Sequence, residues 1–190
     1  MTSRERVERA LRKKPTDRVP IFLWYHPETV SRLAETLEIP AGTVETALGN
    51  DIAMTWVGNN YAMEGIVHTR DGERHTDSWG IEWEKQGPFN QIVYEPLGDV
   101  DDHQIDAYQF PEDDIETLVS QLDSISDGAH DMFRGCDVSP CAFEMHNRLR
   151  GMEASLIDLI TGNESSIRLL ERCGAFAAEL ARRSLDRYEL

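Results

Sequence analysis

The chain has 190 residues, of which 40% are hydrophobic and 28% are charged, a profile typical of a globular domain. Its 35 acidic and 19 basic residues give a formal net charge of −16, which repels phosphate backbones and disfavours nucleic acid as a partner. No apolar run reaches the roughly 18 residues of a membrane span, and the first residues lack the apolar core of a signal peptide, so we expect a cytoplasmic protein.

The first half of the chain predicts two strands that alternate with helices. Thr2 and Glu5 form a capping-box pattern ahead of a helix that Pro15 ends. The nearly continuous apolar run 18–24 predicts a first strand, of the kind that is buried on both faces in a parallel sheet. Residues 51–57 predict the second strand in the same way.

Two helices are predicted between these strands. Pro27 suits the first turn of the longer helix, and the shorter helix covers 43–48 with Gly49 as its C-terminal stop. The apolar stripe of the longer helix consists of Val30, Leu33, Ala34 and Leu37. The order strand, helix, strand implies a right-handed crossover and a parallel sheet.

The middle of the chain has a different pattern. Asp71-Gly72 lies between two short segments and predicts a two-residue hairpin. Gly87-Pro88 separates two further segments in which apolar and polar residues alternate. We therefore predict an antiparallel β excursion over about 65–97.

The remaining segments return to helices and one strand. The acidic stretch 99–114 is predicted to be a solvated connector, because it lacks the glycine turn and ligand spacing of a calcium loop. A helix over 115–125, a third strand over 132–138 and a long helix over 141–160 follow, and Asn163 caps a last helix. The stripe predicted for the long helix is Met145, Leu149, Met152, Leu156 and Leu159.

Cysteine usage gives no sign of a metal or disulfide framework. Cys136, Cys141 and Cys173 are odd in number and form no CxxC pair, so we expect reduced thiols. Cys136, Cys141 and His146 are five residues apart, whereas two ligands on one helix usually lie three or four apart. No metal site is therefore expected in this chain.

These elements predict a single α/β domain over 1–190. Three parallel strands are far fewer than the eight of a closed (β/α)8 TIM barrel, which takes roughly 250 residues. The expected architecture is the amino-terminal half of such a barrel with an antiparallel β excursion. The open edge of so small a parallel sheet leaves backbone groups unpaired and favours association with another chain.

Five segments, in order, resemble the amino-terminal half of the uroporphyrinogen decarboxylase (URO-D) family. MTSRERVERALRKKPTDRVPIFLW resembles its opening helix and first barrel strand, and LGNDIAMTW resembles its second strand. DSWGIEWEK resembles a β segment with a characteristic Asp, Trp and Gly, and DAYQFPED resembles the connector that follows. LRGMEASLIDLITGNE resembles a later helix, a short break and a second helix. The resemblance covers nearly the whole chain.

The resemblance implies one of two chemistries on a TIM-barrel fold. One branch of the family decarboxylates the acetate side chains of uroporphyrinogen III without a cofactor. The other branch moves methyl groups between a corrinoid and a thiol, which zinc activates by lowering the thiol's pKa. That branch places its zinc ligands in the carboxy-terminal half, so this half is expected to bind neither corrinoid nor zinc alone.

Departures from the decarboxylase pattern place the chain closer to the methyltransferase-like branch. The decarboxylases have two arginines just after the first strand, where this chain has Tyr25 and His26. They also have a catalytic aspartate after the second strand, where Asn59 is the nearest residue. An amide cannot supply the negative charge that this aspartate carries beside a pyrrole.

Candidate pocket residues follow the carboxyl ends of the predicted strands, where function sits in a barrel. They are Tyr25, His26, Asn59, His146 and Arg150. His26 could act as an acid, a base or a hydrogen-bond donor, or it could cap the next helix. Asn59 could contact a substrate or shape its loop, and His146 could face the pocket or border the buried stripe. Arg150 could meet a substrate carboxylate or pair with a neighbouring acid.

Three functions follow as hypotheses. The chain could be part of a corrinoid-linked methyltransferase-like enzyme that acts on a small molecule and is inactive without the carboxy-terminal half. The alternative within the family is a lyase of the uroporphyrinogen decarboxylase type in porphyrin biosynthesis. It could instead be a non-catalytic half barrel that assembles as a homodimer or with a complementary half-barrel chain. The third possibility is an inactive remnant.

Overall fold

The fold combines helices with one parallel and one antiparallel sheet. A computed structural model describes residues 1–58, 68–125 and 131–187. These residues belong to two units. Unit 1 contains 1–55 and 122–136, and unit 2 contains 56–121 and 137–187.

The described elements alternate less regularly than a barrel repeat. The helices are α1 (Ser3–Leu11), α2 (Pro27–Leu37), α3 (Val44–Ala47), α4 (Asp102–Ala107), α5 (Ile115–Ser120), α6 (Ala142–Arg150), α7 (Met152–Thr161) and α8 (Glu164–Arg187). The strands are β1 (Ile52–Trp56), β2 (Arg74–Thr76), β3 (Glu82–Gln86), β4 (Phe89–Tyr94) and β5 (Phe133–Asp137). Short 3-10 turns cover Ala41–Thr43, Glu112–Asp114 and Gln121–Ile125. None of the helices described combines the length and the apolar composition needed to cross a membrane.

Helix α1 of unit 1 begins with the predicted capping box. The Thr2 hydroxyl accepts from the backbone N–H of Glu5 at 3.2 Å, and the Glu5 carboxylate accepts from the Thr2 N–H at 3.0 Å. Both contacts satisfy donors that the first helical turn leaves without an intrahelical partner. The helix then buries Arg6 and Val7, so a charged side chain lies inside unit 1.

The predicted first strand, 18–24, is wrong. No strand forms in this segment. The Asp51 N–H donates to the Ile21 carbonyl at 2.7 Å, but side chains rather than a second strand take the hydrogen bonds of the backbone N–H groups. The Ile21 N–H donates to the carboxylate of Asp51 at 2.8 Å, and the Leu23 N–H donates to the Asn50 side chain at 3.2 Å. Pro20 has no N–H to contribute to a ladder. Its apolar side chains are largely exposed: Val19 79%, Phe22 38%, Leu23 48% and Trp24 53%.

A buried carboxylate, Asp51, connects three parts of unit 1. Arg6 Nη1 donates to Asp51 Oδ1 at 2.5 Å, and Arg18 Nη1 donates to Asp51 Oδ2 at 2.6 Å. Arg6 also makes a two-pronged pair with Asp17 at 2.7 and 2.8 Å. Burial raises the pKa of Asp51, but the N–H of Ile21 and the two guanidinium groups outweigh burial and hold this pKa at about 2. The carboxylate is therefore charged and fully partnered.

The second and third predicted strands are confirmed as β1 and β5. They form a two-stranded parallel sheet, and the backbone N–H of Phe133 donates to the Asp51 carbonyl at 2.9 Å. Among the residues that the structure describes, no third strand joins this pair and no barrel closes. The described fold is thus α/β with a parallel sheet, and the barrel remains a hypothesis.

Helix α2 begins at Pro27 as predicted, but its apolar stripe is not buried. Val30, Leu33 and Ala34 are half-buried, and Leu37 is 42% exposed. The elements that contact this helix most are α3 and the preceding 3-10 turn, and both are too short to cover three helical turns. The short helix that ends before Gly49 is confirmed as α3, and Gly49 adopts a φ of 82°.

The antiparallel excursion is confirmed in unit 2 as the sheet β2-β3-β4. Gly87-Pro88 separates β3 from β4, as predicted. The turn at Asp71-Gly72 is present, because the Glu73 N–H donates to the Arg70 carbonyl at 3.3 Å. Its second arm, β2, pairs with β3, and the segment predicted as its first arm lies partly outside the described residues. The Gly72 N–H donates to the Lys85 carbonyl at 2.9 Å, and the Asp71 carboxylate accepts from the Gly87 N–H at 3.0 Å.

An aromatic cluster forms part of the core of unit 2. Trp79 is buried, with its ring centroid 5.0 Å from that of Phe110 and 4.9 Å from that of Phe176. The Tyr108 hydroxyl donates to the Trp79 carbonyl at 2.5 Å. Asp77 aligns the start of β3, since its carboxylate accepts from the N–H groups of Trp79 and Ile81 and from the Trp83 indole. This motif is therefore structural.

The acidic connector 99–114 is not irregular throughout, because it contains helix α4. Asp101 and Gln104 make a second capping box at 2.9 and 3.2 Å, and Ile105 is fully buried. Helix α4 packs against α8, which also contacts α5, α6 and α7. The Asp-x-x-Gln spacing of Asp101 and Gln104 indicates a helix start. It was overlooked because the many acidic residues around it are typical of a solvated loop.

The single helix predicted over 141–160 is wrong, because Gly151 divides it into α6 and α7. Gly151 has a φ of 78°, a left-handed value that a residue with a Cβ rarely adopts. Met145 and Leu149, before the break, are buried as predicted. Met152 and Leu156, after the break, are exposed. The change of backbone direction at Gly151 prevents one stripe from continuing through both helices.

The Asp51 contacts predict a large effect of a small substitution. Asp51→Asn keeps the shape of the side chain but removes its charge, so Arg18 loses its carboxylate partner and Arg6 keeps only Asp17. We expect the free energy of unfolding to fall by about 3 kcal/mol, measured by urea denaturation. Glu35→Gln, at an exposed position of α2, is the matched charge-removing control and should change little. Equal effects of the two substitutions would contradict this role of Asp51.

Candidate functional site

The candidate residues from sequence are divided between the two units. Tyr25 and His26 belong to unit 1, His146 and Arg150 belong to unit 2, and Asn59 lies outside the described residues. The two pairs are therefore considered separately.

Tyr25 and His26 lie at the start of α2. His26 caps the helix, because its Nδ1 accepts from the backbone N–H of Glu28 at 3.3 Å. Helix capping is the structural role that the sequence analysis offered for His26. An imidazole that caps a helix has one nitrogen fewer with which to contact a substrate. Tyr25 directly precedes the cap and is half-buried.

His146 is fully buried at the junction of three helices. Its Nδ1 lies 2.7 Å from the Ser155 hydroxyl on α7, and its Nε2 lies 2.8 Å from the Ser166 hydroxyl on α8. The Ser155 hydroxyl donates its proton to Asn147 Oδ1 at 2.5 Å. It therefore accepts from His146 Nδ1–H, which leaves Nε2 to accept from Ser166. The imidazole is neutral and both nitrogens are occupied.

Electrostatics favour this neutral form of His146. Burial lowers its pKa, and the charge of Arg150 acts in the same direction. The contact with Ser166 and the charge of Asp158 oppose this shift but do not reverse it. A proton-transfer role requires a group that can exchange protons with a substrate, and His146 is placed to connect helices instead.

Arg150 acts as a clamp at the same junction. Its Nε donates to Asp158 Oδ2 on α7 at 2.8 Å, and its Nη1 donates to the carbonyls of Leu97 and Gly98 at 2.5 and 3.2 Å. The side chains of Arg150 and Asp158 are 11% and 12% exposed. The pair therefore fixes the loop after β4 and one face of α7, rather than waiting for a substrate carboxylate.

These contacts give α7 an unusual orientation. Its polar residues Ser155 and Asp158 are buried, whereas a surface helix normally buries its apolar face. The apolar α7 face consists of Met152 (59% exposed), Leu156 (42%), Ile157 (53%) and Ile160 (86%). Contiguous exposed apolar surface of this kind typically marks an interaction site.

An open hollow adjoins the apolar α7 face. It has a volume of about 600 Å³ and lies between the loop 94–99 and residues 150–157. Tyr94, Met152 and Ile157 give it apolar walls, and the carboxylates of Glu95, Asp99 and Glu153 complete its lining. Arg150 also lines the hollow, but its charge is engaged by Asp158.

The donor groups do not fit the metal that the family resemblance implies. Among residues 1–58, 68–125 and 131–187, no three His, Cys, Asp or Glu side chains lie together in a way that could hold a metal ion. Burial raises the pKa of Cys141, and burial also raises the pKa of Cys173 to about 12. Neither thiol is therefore activated as a nucleophile or a ligand.

Sequence reasoning overlooked Ser155 and Asp158, the residues that orient α7. A signal was present: Ser155 and Asp158 are polar, lie three positions apart in a helix with several Leu and Ile residues, and therefore share one face. Periodicity alone assigned the face with Ser155 and Asp158 to solvent. It could not show that His146 and Arg150 pack against this face.

No family model, curated protein or solved structure matches this chain. The family resemblance therefore depends on the five segments quoted above.

The neutral state of His146 predicts a pH-dependent contribution to stability. The folded pKa lies below the ordinary value of 6.5, so the contribution is present above about pH 6.5 and is lost as pH falls below it. We expect the difference in unfolding free energy between wild type and His146→Gln to shrink between about pH 8 and pH 5.5. Urea denaturation across this range measures the difference.

The matched control for His146 is His103→Gln, since His103 is exposed on α4. Its difference from wild type should stay constant over the same pH range. Both variants are compared with wild type at each pH, so the titration of the many surface carboxylates cancels. A constant difference for His146→Gln as well would contradict the buried neutral imidazole.

Proposed function

We propose that this chain is a binding and assembly module that joins a complementary protein chain through the apolar α7 face. The observation that carries the proposal is the inverted burial of α7, with Ser155 and Asp158 inside and Ile157 and Ile160 outside. Burial of a large apolar side chain contributes roughly 1.5–3 kcal/mol. A partner that buries the side chains of this face therefore gains several such contributions to the free energy of binding.

The exposed face cannot be hidden by a simple rotation of α7. Rotation would remove Ser155 from His146 and Asp158 from Arg150, and each buried polar group left without a partner costs about 1–3 kcal/mol. The same four residues thus hold the apolar side outward. A partner can cover it without breaking any of these contacts.

Unit 1 supports the proposal independently. Its extended segment 18–24 exposes Val19, Leu23 and Trp24, and its parallel sheet has two strands among the residues described. Parallel sheets in globular proteins are normally larger and covered on both faces. The partner class that fits is an α/β chain that supplies further strands and helices, in a cytoplasmic complex.

The assembly proposal predicts binding that depends on one helix face. A neutral amphipathic helical peptide with a Leu/Ile stripe and Gln elsewhere serves as a probe of this face. Ile160→Glu places a charge on the face and should weaken binding about tenfold, equivalent to about 1.4 kcal/mol. Fluorescence anisotropy measures the affinity, and light scattering on each variant measures self-association through the same face.

Leu185→Glu is the matched control, because Leu185 is 63% exposed but lies on α8. It should leave peptide binding and the light-scattering mass unchanged. Circular dichroism melts show whether both variants fold. If Ile160→Glu and Leu185→Glu behave alike, or the peptide does not bind and the chain does not self-associate, the assembly proposal is wrong.

A second candidate is that the completed assembly carries out URO-D-type chemistry. The order of β1, an antiparallel β segment and β5 favours it, since the resemblance implies this order. Methyl transfer linked to a corrinoid is the first reaction proposed, and uroporphyrinogen decarboxylation is the alternative. The described residues provide no zinc ligand set, and in this candidate the complementary chain would supply the zinc ligands.

The second candidate predicts activity only after assembly. The chain alone should not transfer a methyl group from methylcobalamin to a thiol, because His146 and Arg150 are committed to helix contacts. A complex with a complementary half-barrel chain should do so, as measured by the change in the corrinoid absorption spectrum. Activity of the chain alone would contradict this division, and an inactive complex would remove the methyl-transfer candidate.

A further inference from the structure

We infer that the partner segment that covers the apolar α7 face is a basic amphipathic helix. The inference rests on the proposed assembly function and specifies the chemistry of its partner. Apolar side chains of such a helix would pack on Met152 and Ile157, while its Lys or Arg side chains would lie against the carboxylates of the hollow. The hollow continues directly from the exposed side of α7.

Charge complementarity is the first argument. Glu95, Asp99 and Glu153 line the hollow, and none of them forms an ion pair with another described residue. By contrast, the acidic residues Asp106, Glu144 and Glu179 are paired with nearby arginines. The walls of this hollow therefore keep their negative charge for an incoming group.

The state of Arg150 is the second argument. It is the single basic side chain among the residues that line the hollow, and it is bound to Asp158 and to two backbone carbonyls. It cannot turn toward Glu95 or Glu153 without abandoning these contacts. Among the described residues, no other basic side chain lines the hollow, so its three carboxylates are available to a cation on a partner.

The total charge is the third argument, and it bears on a second copy of this chain as the occupant. Each chain carries a net charge of −16, so two identical acidic surfaces repel each other on approach. A symmetric pair would also bring the same carboxylates into one interface, where like charges are unfavourable. A basic partner gains from the same charges.

Three labelled helical peptides test the inference. They share one Leu/Ile stripe and differ only in the polar positions, which are all Lys, all Gln or all Glu. We expect the Lys peptide to bind most tightly and the Glu peptide least tightly, with the advantage of the Lys peptide falling as salt rises. Anisotropy titrations of the full chain at low and high salt give the affinities.

Variants of the hollow show whether its carboxylates are responsible. The double substitution Glu95→Gln and Glu153→Gln should weaken the Lys peptide about two- to fivefold, the range expected for exposed ion pairs. It should leave the Gln peptide unchanged. The control pair is Glu171→Gln and Glu35→Gln, at exposed positions outside the hollow, and it should not alter either affinity.

The outcomes separate this inference from the assembly proposal. If the Gln and Lys peptides bind equally well, or the two double variants are equivalent, the basic partner is wrong and assembly through α7 stands. If no peptide binds and the chain does not self-associate, both are wrong. If the chain forms a dimer that Ile160→Glu disrupts and that excludes the Lys peptide, the occupant is a second copy and the inference is overturned.

Discussion

Two polar contacts between α6 and α7 decide which side of α7 faces solvent. His146 bonds Ser155, and Arg150 bonds Asp158, with all four side chains buried or nearly so. Polar groups in such a place are stable only when they are paired. The pairs draw the polar side of α7 inward, and geometry then requires its apolar side to point outward. The proposed assembly function follows from this constraint.

Unit 1 solves a similar problem with a single buried charge. Asp51 stands between the guanidinium groups of Arg6 and Arg18 and accepts a backbone N–H from the extended segment 18–24. An ion pair of this kind contributes position more than net stability, because the charges lose their hydration when they are buried. It fixes the segment beside β1 through side chains and leaves its apolar residues exposed.

In addition to its apolar core, each unit buries one group of paired polar side chains and exposes apolar side chains on the element that these pairs hold. Exposed apolar patches of this kind favour association. The substrate-pocket candidates fit the same view, because His26 caps a helix while His146 and Arg150 join elements. In the proposed function, chemistry of the URO-D type belongs to a larger assembly in which this chain supplies structure.

The sequence by itself determined the local features of this protein. The Thr2 capping box, the helix start at Pro27, β1, β5, the Gly87-Pro88 turn and the Asn163 cap were all predicted, because each depends on residues close together in the chain. Caps, turns and the periodicity within one helix or strand can be predicted without knowing which elements pack against it. The net negative charge was also evident from the sequence, which offered a structural role beside the functional one for His26 and His146.

Tertiary structure alone decided the rest. The segment 18–24 has the composition of a buried strand, but the side chains of Asn50 and Asp51 accept the N–H groups of Leu23 and Ile21 in place of a neighbouring strand. The stripe predicted across 141–160 failed at Gly151, and His146 and Arg150 became structural because their partners lie 8 to 53 residues away in sequence. Whether a polar or an apolar face is buried depends on what lies opposite it, and only the packed chain supplies that information.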